Sequence, residues 1–290
     1  MKQEKVFKKA VEASIHAMQQ VMVKSFIRCN SNVDIIFVLV NLIMVIIYIC
    51  ILAFPIIAII RYSGFCNIIN ILSNSKYVSV MKLSFQTSLV SALCTFLLGT
   101  PTVFFILSRK NSILTKILDT IVHIPVVFPP AVAGIGLLLS FGRNGMVGSL
   151  LERYNIEITF TPIAVIIAQF FVSSVFYVQI LKTAVDKIPS EICEASYVFG
   201  AGKVQTVLKV ILPMSKKAVI SGLILSWIRA LGEFGATIMF AGNILYKTRT
   251  IPLQIYTLMQ TDIETAAAFS AILFILSFCT LLVVKNWIWE

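Results

Sequence analysis

Acidic residues are scarce in this chain: 13 Asp and Glu stand against 24 Lys and Arg, and charged residues make up only 13% of 290. A soluble domain carries about 25%, so the shortage excludes an ordinary water-soluble class. Histidine is scarcer still, with only His16 and His123. No H-E-x-x-H occurs, which removes a zinc hydrolase of that type. The cysteines Cys29, Cys50, Cys66, Cys94, Cys193 and Cys279 are scattered without a C-x-x-C. Neither a disulfide framework nor a metal site is expected from them. A G-x-x-x-x-G-K-[ST] phosphate loop is absent, as is a G-x-S-x-G nucleophile turn. The chain is therefore not expected to hydrolyse ATP or act as a serine hydrolase.

Apolar sequence takes the place of the missing charge. Hydrophobic residues reach 58%, mean hydropathy is +0.93, and apolar runs of about 20 residues recur, each enough to cross a hydrocarbon core. The composition predicts an all-α, polytopic helical membrane protein. About six spans are expected, at Ile35–Ile60, Val80–Leu107, Ile113–Phe141, Thr161–Val185, Ala218–Phe240 and Thr265–Lys285. The second is long enough to tilt or protrude. Pro125, Pro129 and Pro130 in the third should kink or break it. Irregular backbone survives at membrane depth only under protein or beside a water-filled cavity. The third span is thus either a pathway wall or a buried packing kink.

Residues 1–34 place Phe7, Val11, Ile15, Met18, Met22 and Phe26 at helical steps, with lysines mostly off that face. A basic amphipathic helix at the membrane interface is one reading; a loosely ordered tail is the other. No signal-peptide pattern is seen. With the N-terminus inside, 16 Lys and Arg fall on the cytoplasmic side against 6 outside, with Lys82 and Arg229 in spans. The positive-inside rule then places both termini in the cytoplasm. The net charge of +11 reports this orientation, so nucleic acid is not an expected partner. Lys82 either snorkels to the outer interface or attracts anions. Outside, Ser, Asn and Gly near 63–75 read as loop, and a short surface helix is expected around Val147–Tyr154.

Between the fourth and fifth spans lies a polar segment of two helical pieces. The first opens at Pro189 and Ser190, with Glu191 and Glu194 near its positive end. Gly200 and Gly202 should end it. The second, from Lys203 to Ile211, should stop ahead of Pro213. Glu194-Ala195-Ser196, three residues, Gly200, nine residues, then Val210-Ile211-Leu212-Pro213 resembles the EAA loop of binding-protein-dependent ABC importer permeases. That pattern reads E-A-A, three residues, G, nine residues, I-x-L-P; here Ser196 replaces the third Ala and Val210 the Ile. The stretches Arg229 to Asn243 (R-A-L-G-E-F-G-A-T-I-M-F-A-G-N) and His123 to Gly134 (H-I-P-V-V-F-P-P-A-V-A-G) are similar to the molybdate-type permeases.

The resemblance implies a type I ABC importer permease fold. Its core domain spans 77–290 with a coupling loop at 186–216, preceded by a first transmembrane helix at 35–60. It implies ATPase coupling through Glu191, Glu194, Ala195, Ser196, Gly200, Ala201 and Pro213. The implied partners are a second copy of the chain, two ABC ATPase subunits, an extracytoplasmic oxyanion-binding protein and the bilayer. No cofactor or metal is expected on the chain itself, since ATP is used by the partner. The cargo implied is molybdate, with tungstate and sulfate as alternatives, in a bacterial or archaeal cytoplasmic membrane.

Pathway or gate candidates are Pro129, Pro130, Ser226, Arg229, Glu233, Thr237 and Asn243. Ionisable groups in a span cost at least about 2.5 kcal/mol each, so they tend to face the bundle interior. Arg229 and Glu233, four apart, share a helix face. They form either a mutual salt bridge or an anion contact in which Arg229 offsets the repulsion of Glu233. Gly232 and Gly235 permit close helix approach. His123 and Asp119 lack the companions a metal or proton relay needs. A secondary transporter is the rival reading, but inverted repeats and several buried acidic groups are not seen.

Overall fold

The computed structural model describes residues 32–108 and 112–289, and the described residues form helices and connecting turns without a strand. The amphipathic reading of the N-terminal segment, and His16 with it, lies outside the described residues. The first helix, α1 (Asn32–Ser63), carries Pro55 in its interior. At 1.5 Å per residue its 32 residues run about 48 Å.

The remaining helices make one body from Ile59 onward. They are α2 (Phe65–Ser73), α3 (Ser75–Ser108), α4 (Ile113–Val127), α5 (Pro130–Phe141), α6 (Gly148–Glu152), α7 (Pro162–Asp186), α8 (Ser190–Val198), α9 (Lys203–Thr206), α10 (Leu212–Met214), α11 (Lys216–Leu231), α12 (Gly235–Phe240), α13 (Ile251–Leu258) and α14 (Ile263–Trp289). Four of all these helices, α1, α3, α7 and α14, are long and apolar enough to cross a membrane, and the bent pair α4–α5 makes a fifth if counted as one span.

At the centre α7 packs between α3 and α11. Tyr177 of α7 is fully buried between two glycines. A Cβ on Gly99 of α3 would lie 3.0 Å from its ring, and one on Gly222 of α11 would lie 3.1 Å away. The missing side chains let three backbones approach closely. The phenol meets the Thr100 hydroxyl at 2.5 Å. One helical turn away from Tyr177, the Ser226 hydroxyl donates to the Ser173 carbonyl at 3.0 Å, tying α11 to α7. Gln169, one turn further, is fully buried, and neither polar atom of its amide has a hydrogen-bond partner among the described residues. The buried hydroxyls of Ser91, Ser173 and Thr237 are also unpartnered among the described residues.

Two expected spans are interrupted. The third bends by 117° between α4 and α5. Pro129 and Pro130 offer no amide donors there, whereas Pro125 is accommodated inside α4. The fifth, expected to be continuous from Ala218 to Phe240, is split: α11 ends at Leu231 and α12 begins at Gly235. The cause is Glu233: its Oε1 accepts from the Ala236 amide at 2.9 Å, so the side chain caps a new helix.

The segment near 63–75, expected as loop, contains the helix α2. Its Ile68 and Ile71 supply a helical apolar face that packs with Phe269 of α14 and outweighs the scattered Asn and Ser. The short outer helix is present as α6, within the expected stretch.

Candidate functional site

The two-piece polar segment forms a knob at one end of the body. Helix α8 starts at Ser190 behind Pro189, and Glu191 lies in its first turn. Gly200 takes φ +81°, a left-handed conformation open to glycine, and turns the chain. Gly202 is extended, and its amide donates to Gln205 Oε1 at 3.1 Å as α9 begins. Expected to stop ahead of Pro213, the second piece runs through it instead. Residues Val207–Ile211 widen into a π-helical turn, and α10 then includes Pro213. The wider turn leaves room for the proline ring, which would clash with the carbonyl four residues back in a regular α-helix.

Ser196 turns inward, and its hydroxyl meets that of Thr206 at 2.5 Å. Thr206 is itself 1% exposed and also donates to the Gly202 carbonyl. The residue that departs from the E-A-A pattern thus ties α8 to α9. Glu191, Glu194, Ala195 and Pro213 are exposed, and Ala201 is half-buried. Sequence reasoning missed Val198 and Phe199, which are 85% and 90% exposed at the tip. Their signal was an apolar pair just ahead of Gly200 in an otherwise polar segment. Exposed apolar side chains grouped on a polar-rimmed projection form a candidate docking surface. A hollow of about 380 Å³ separates the knob from the bundle, lined among others by Ser108, Asp186, Cys193, Tyr197 and Lys203.

Close by, Lys182 Nζ of α7 meets Asp119 Oδ1 of α4 at 2.5 Å. The Asp119 carbonyl lies 2.6 Å from His123 Nδ1. Asp119 is therefore bound to a lysine that no sequence pattern pairs with it. Among the described residues no cluster of His, Cys, Asp or Glu is placed to hold a metal ion.

The pathway candidates separate into three groups. Pro129 and Pro130 sit exposed at the α4–α5 break, with Val126 and Val127 exposed beside them. Gly235 packs on this break: a Cβ there would lie 2.9 Å from Pro130 Cβ. Gly134 does the same from α5, 2.7 Å from the Ala236 carbonyl. At the α11–α12 break Arg229 and Glu233 form the mutual ion pair, at 2.7 Å, with side-chain exposures of 31% and 1%. The hydroxyl of Ser226 is committed to α7, while that of Thr237 is buried and has no partner among the described residues. Asn243 lies past α12, where its Nδ2 donates to Thr257 at 3.0 Å and its Oδ1 accepts from Arg249 Nε at 2.8 Å.

On the outer connection Arg143 lies 3.4 Å from Glu152 and hydrogen-bonds Glu157. That bond, followed by the charges of Glu157 and Glu152, raises the guanidinium above its ordinary pKa.

The signature of the family described as "binding-protein-dependent transport system inner membrane component" matches residues 99–286. A probable transport system permease protein, NifC of Clostridium pasteurianum, is 57% identical over 82% of this chain and 84% of its own length. The molybdenum transport system permease protein ModB of Mycobacterium bovis is 37% identical over 69% of this chain and 75% of its own. The sulfate transport system permease protein CysT of Salmonella typhimurium is 32% identical over 70% and 74%. Among solved structures, a bacterial ABC transporter involved in the import of the acidic polysaccharide alginate superposes with a TM-score of 0.70. It is 18% identical, over 86% of this chain and 94% of that one.

Proposed function

This chain belongs to the binding-protein-dependent transport system inner membrane component family, and from that premise we propose that it carries molybdate through the membrane. It is a multi-pass permease subunit of an ABC importer, with ATP hydrolysis on a separate subunit. Molybdate as the cargo is our reading. The observation that carries it is the similarity to a molybdenum permease, 37% against 32% for a sulfate permease over comparable lengths, together with the His123–Gly134 and Arg229–Asn243 stretches.

The geometry supports the following mechanism. An ATPase groove grips the knob, with Val198 and Phe199 as apolar anchors and Glu191 and Glu194 meeting basic groups on its rim. Ser196, Gly200, Ala201 and Pro213 hold the knob's shape so that ATP-driven closure moves it as one piece. The Lys182–Asp119 pair passes that movement from α7 to α4, which ends at the Pro129–Pro130 break. That break is exposed in one protomer, which supports a path shared with a second copy. The Arg229–Glu233 pair, Ser226 and Thr237 shape the wall behind it, and Asn243 sits at the far end. An extracytoplasmic oxyanion-binding protein delivers the ion, and both termini lie in the cytoplasm of a bacterial or archaeal cell.

The test is uptake of labelled molybdate by proteoliposomes that carry this chain, its ATPase and its binding protein. ATP-dependent uptake blocked by excess tungstate but not by sulfate is expected. Strong competition by sulfate moves the cargo to sulfate, and ATP-independent uptake refutes the importer reading.

A further inference from the structure

Three arginines near the spans hold their charge differently. Arg143 lies against Glu152 and Glu157, and Arg229 against Glu233. Arg249, in the connection between α12 and α13, is half-buried, and among the described residues its side-chain partners are neutral. Its Nε donates to Asn243 Oδ1 at 2.8 Å, Nη1 to Gln254 Oε1 at 3.4 Å and Nη2 to the Asn243 carbonyl at 3.4 Å. Among the described residues no carboxylate lies within ion-pair distance of it.

A guanidinium has five N–H donors. Three are engaged, and each terminal nitrogen retains one. Asn243 is itself anchored to Thr257, so the guanidinium is positioned chiefly through its Nε bond, and no partner among the described residues offsets its charge. Burial without neutralisation strengthens its attraction for an anion relative to a solvated surface arginine.

The location suits an entry site. Ile251, two residues on, donates its amide to Ser84 Oγ at 2.7 Å. Ser84 stands about 36 Å along α3 from Ser108 at 1.5 Å per residue, and Ser108 lines the hollow beside the knob. Arg249 therefore sits at the end of the bundle opposite the knob. Through Asn243 it is continuous with α12, whose Gly235 packs on the Pro130 break.

We propose that Arg249 is an anion-receiving residue of the permease, a positive charge without a carboxylate partner that receives an arriving tetrahedral oxyanion on this chain. The proposal rests on the reading that the cargo is such an ion. It is tested by comparing wild type, R249K and R249Q in the complete complex with ATPase and binding protein in proteoliposomes. Initial molybdate uptake and the melting temperature of each variant are measured.

R249Q, which keeps polarity but loses charge, should lower uptake about tenfold or more, as loss of a charge-assisted hydrogen bond implies. R249K should retain most uptake, with the melting temperatures unchanged. Loss of uptake in both variants at unchanged melting temperature also supports the site and assigns it to the guanidinium fork. Wild-type uptake by R249Q overturns the proposal. Parallel loss of uptake and melting temperature in both variants also overturns it, making Arg249 a loop pin. A wild-type complex that moves none of molybdate, tungstate and sulfate with ATP refutes the cargo reading instead.

Discussion

Replacing Arg229 by Met should destabilise the protein more than replacing Glu233 by Gln, although the two residues form a single ion pair. Glu233 is 1% exposed and Arg229 31%. Removing the arginine strands a carboxylate where water does not reach, at a cost of about 3–5 kcal/mol. Removing the carboxylate charge leaves a guanidinium that water can still reach. The cost is then discounted for screening to about 1–2 kcal/mol. The amide introduced by E233Q would also keep an oxygen for the Ala236 N–H, so the cap on α12 survives. The double variant R229M/E233Q leaves neither charge behind, and should fall short of the sum of the singles by about 1–3 kcal/mol.

The assay is the apparent melting midpoint in detergent, followed by fluorescence-detected size exclusion after heating. At about 2–4 °C per kcal/mol, R229M should melt on the order of 10 °C below wild type, with E233Q a few degrees below. An E233Q midpoint lower than that of R229M, or a double variant at the sum of the singles, would refute the reasoning.

Gly235→Ala should lower the melting midpoint and slow uptake, because the new methyl lies 2.9 Å from Pro130 Cβ and such overpacking costs about 1–3 kcal/mol. Gly136→Ala, with nothing within 4 Å, serves as the control and should be neutral or slightly stabilising; equal effects at the two sites would contradict the packing account. Thr206→Val removes both knob ties and should cost about 1–2 kcal/mol locally, seen as fewer ions moved per ATP. Ser196→Ala should do less, since Thr206 keeps its bond to Gly202, and a larger loss in S196A than in T206V would count against the tie.

Asp262 opens α14 by accepting from the hydroxyl and amide of Thr265, which hold its carboxyl below the ordinary value, the hydroxyl contributing most. A lowered folded pKa gives stability that is present above the unfolded pKa and lost as pH falls through the folded value. Hydrogen exchange in the first turn of α14 should quicken below about pH 4, and D262N should flatten that response. A pH-independent profile in the unaltered protein would refute it.

Long apolar runs made the helical membrane class and the four long spans legible, because a bilayer demands about 20 apolar residues whatever the neighbours are. The prolines made the third break legible for a similarly local reason. The fifth break was not, since Glu233 caps α12 only because Arg229 neutralises it and Gly235 lets α12 reach Pro130. Position along the chain located the knob, but Ser196 stood out only as the replacement of the third Ala; its bond to Thr206 depends on the turn at Gly200 folding two helices together. Lys182 and Asp119 are 63 residues apart, and no local pattern announces a pair at that separation. No local pattern sets Arg249 apart, because the neutrality of its partners is a property of the assembled structure. The helix at Phe65–Ser73 was hidden for the opposite reason: a short apolar period was present, but Asn and Ser masked it.

Gln169 bears on how the protein responds to engineering. A search for heat-resistant variants would favour Leu or Met there. Either residue removes one unpaired amide from the middle of the bundle, and its carbonyl and its NH2 each cost about 1–3 kcal/mol. The hydroxyls of Ser91, Ser173 and Thr237 offer the same opportunity. Yet an importer must exchange two arrangements of these helices, and a residue without a partner in one of them loses nothing when the helices slide. Variants chosen for survival on heating at this position would therefore be expected to crystallise more readily and to turn over more slowly.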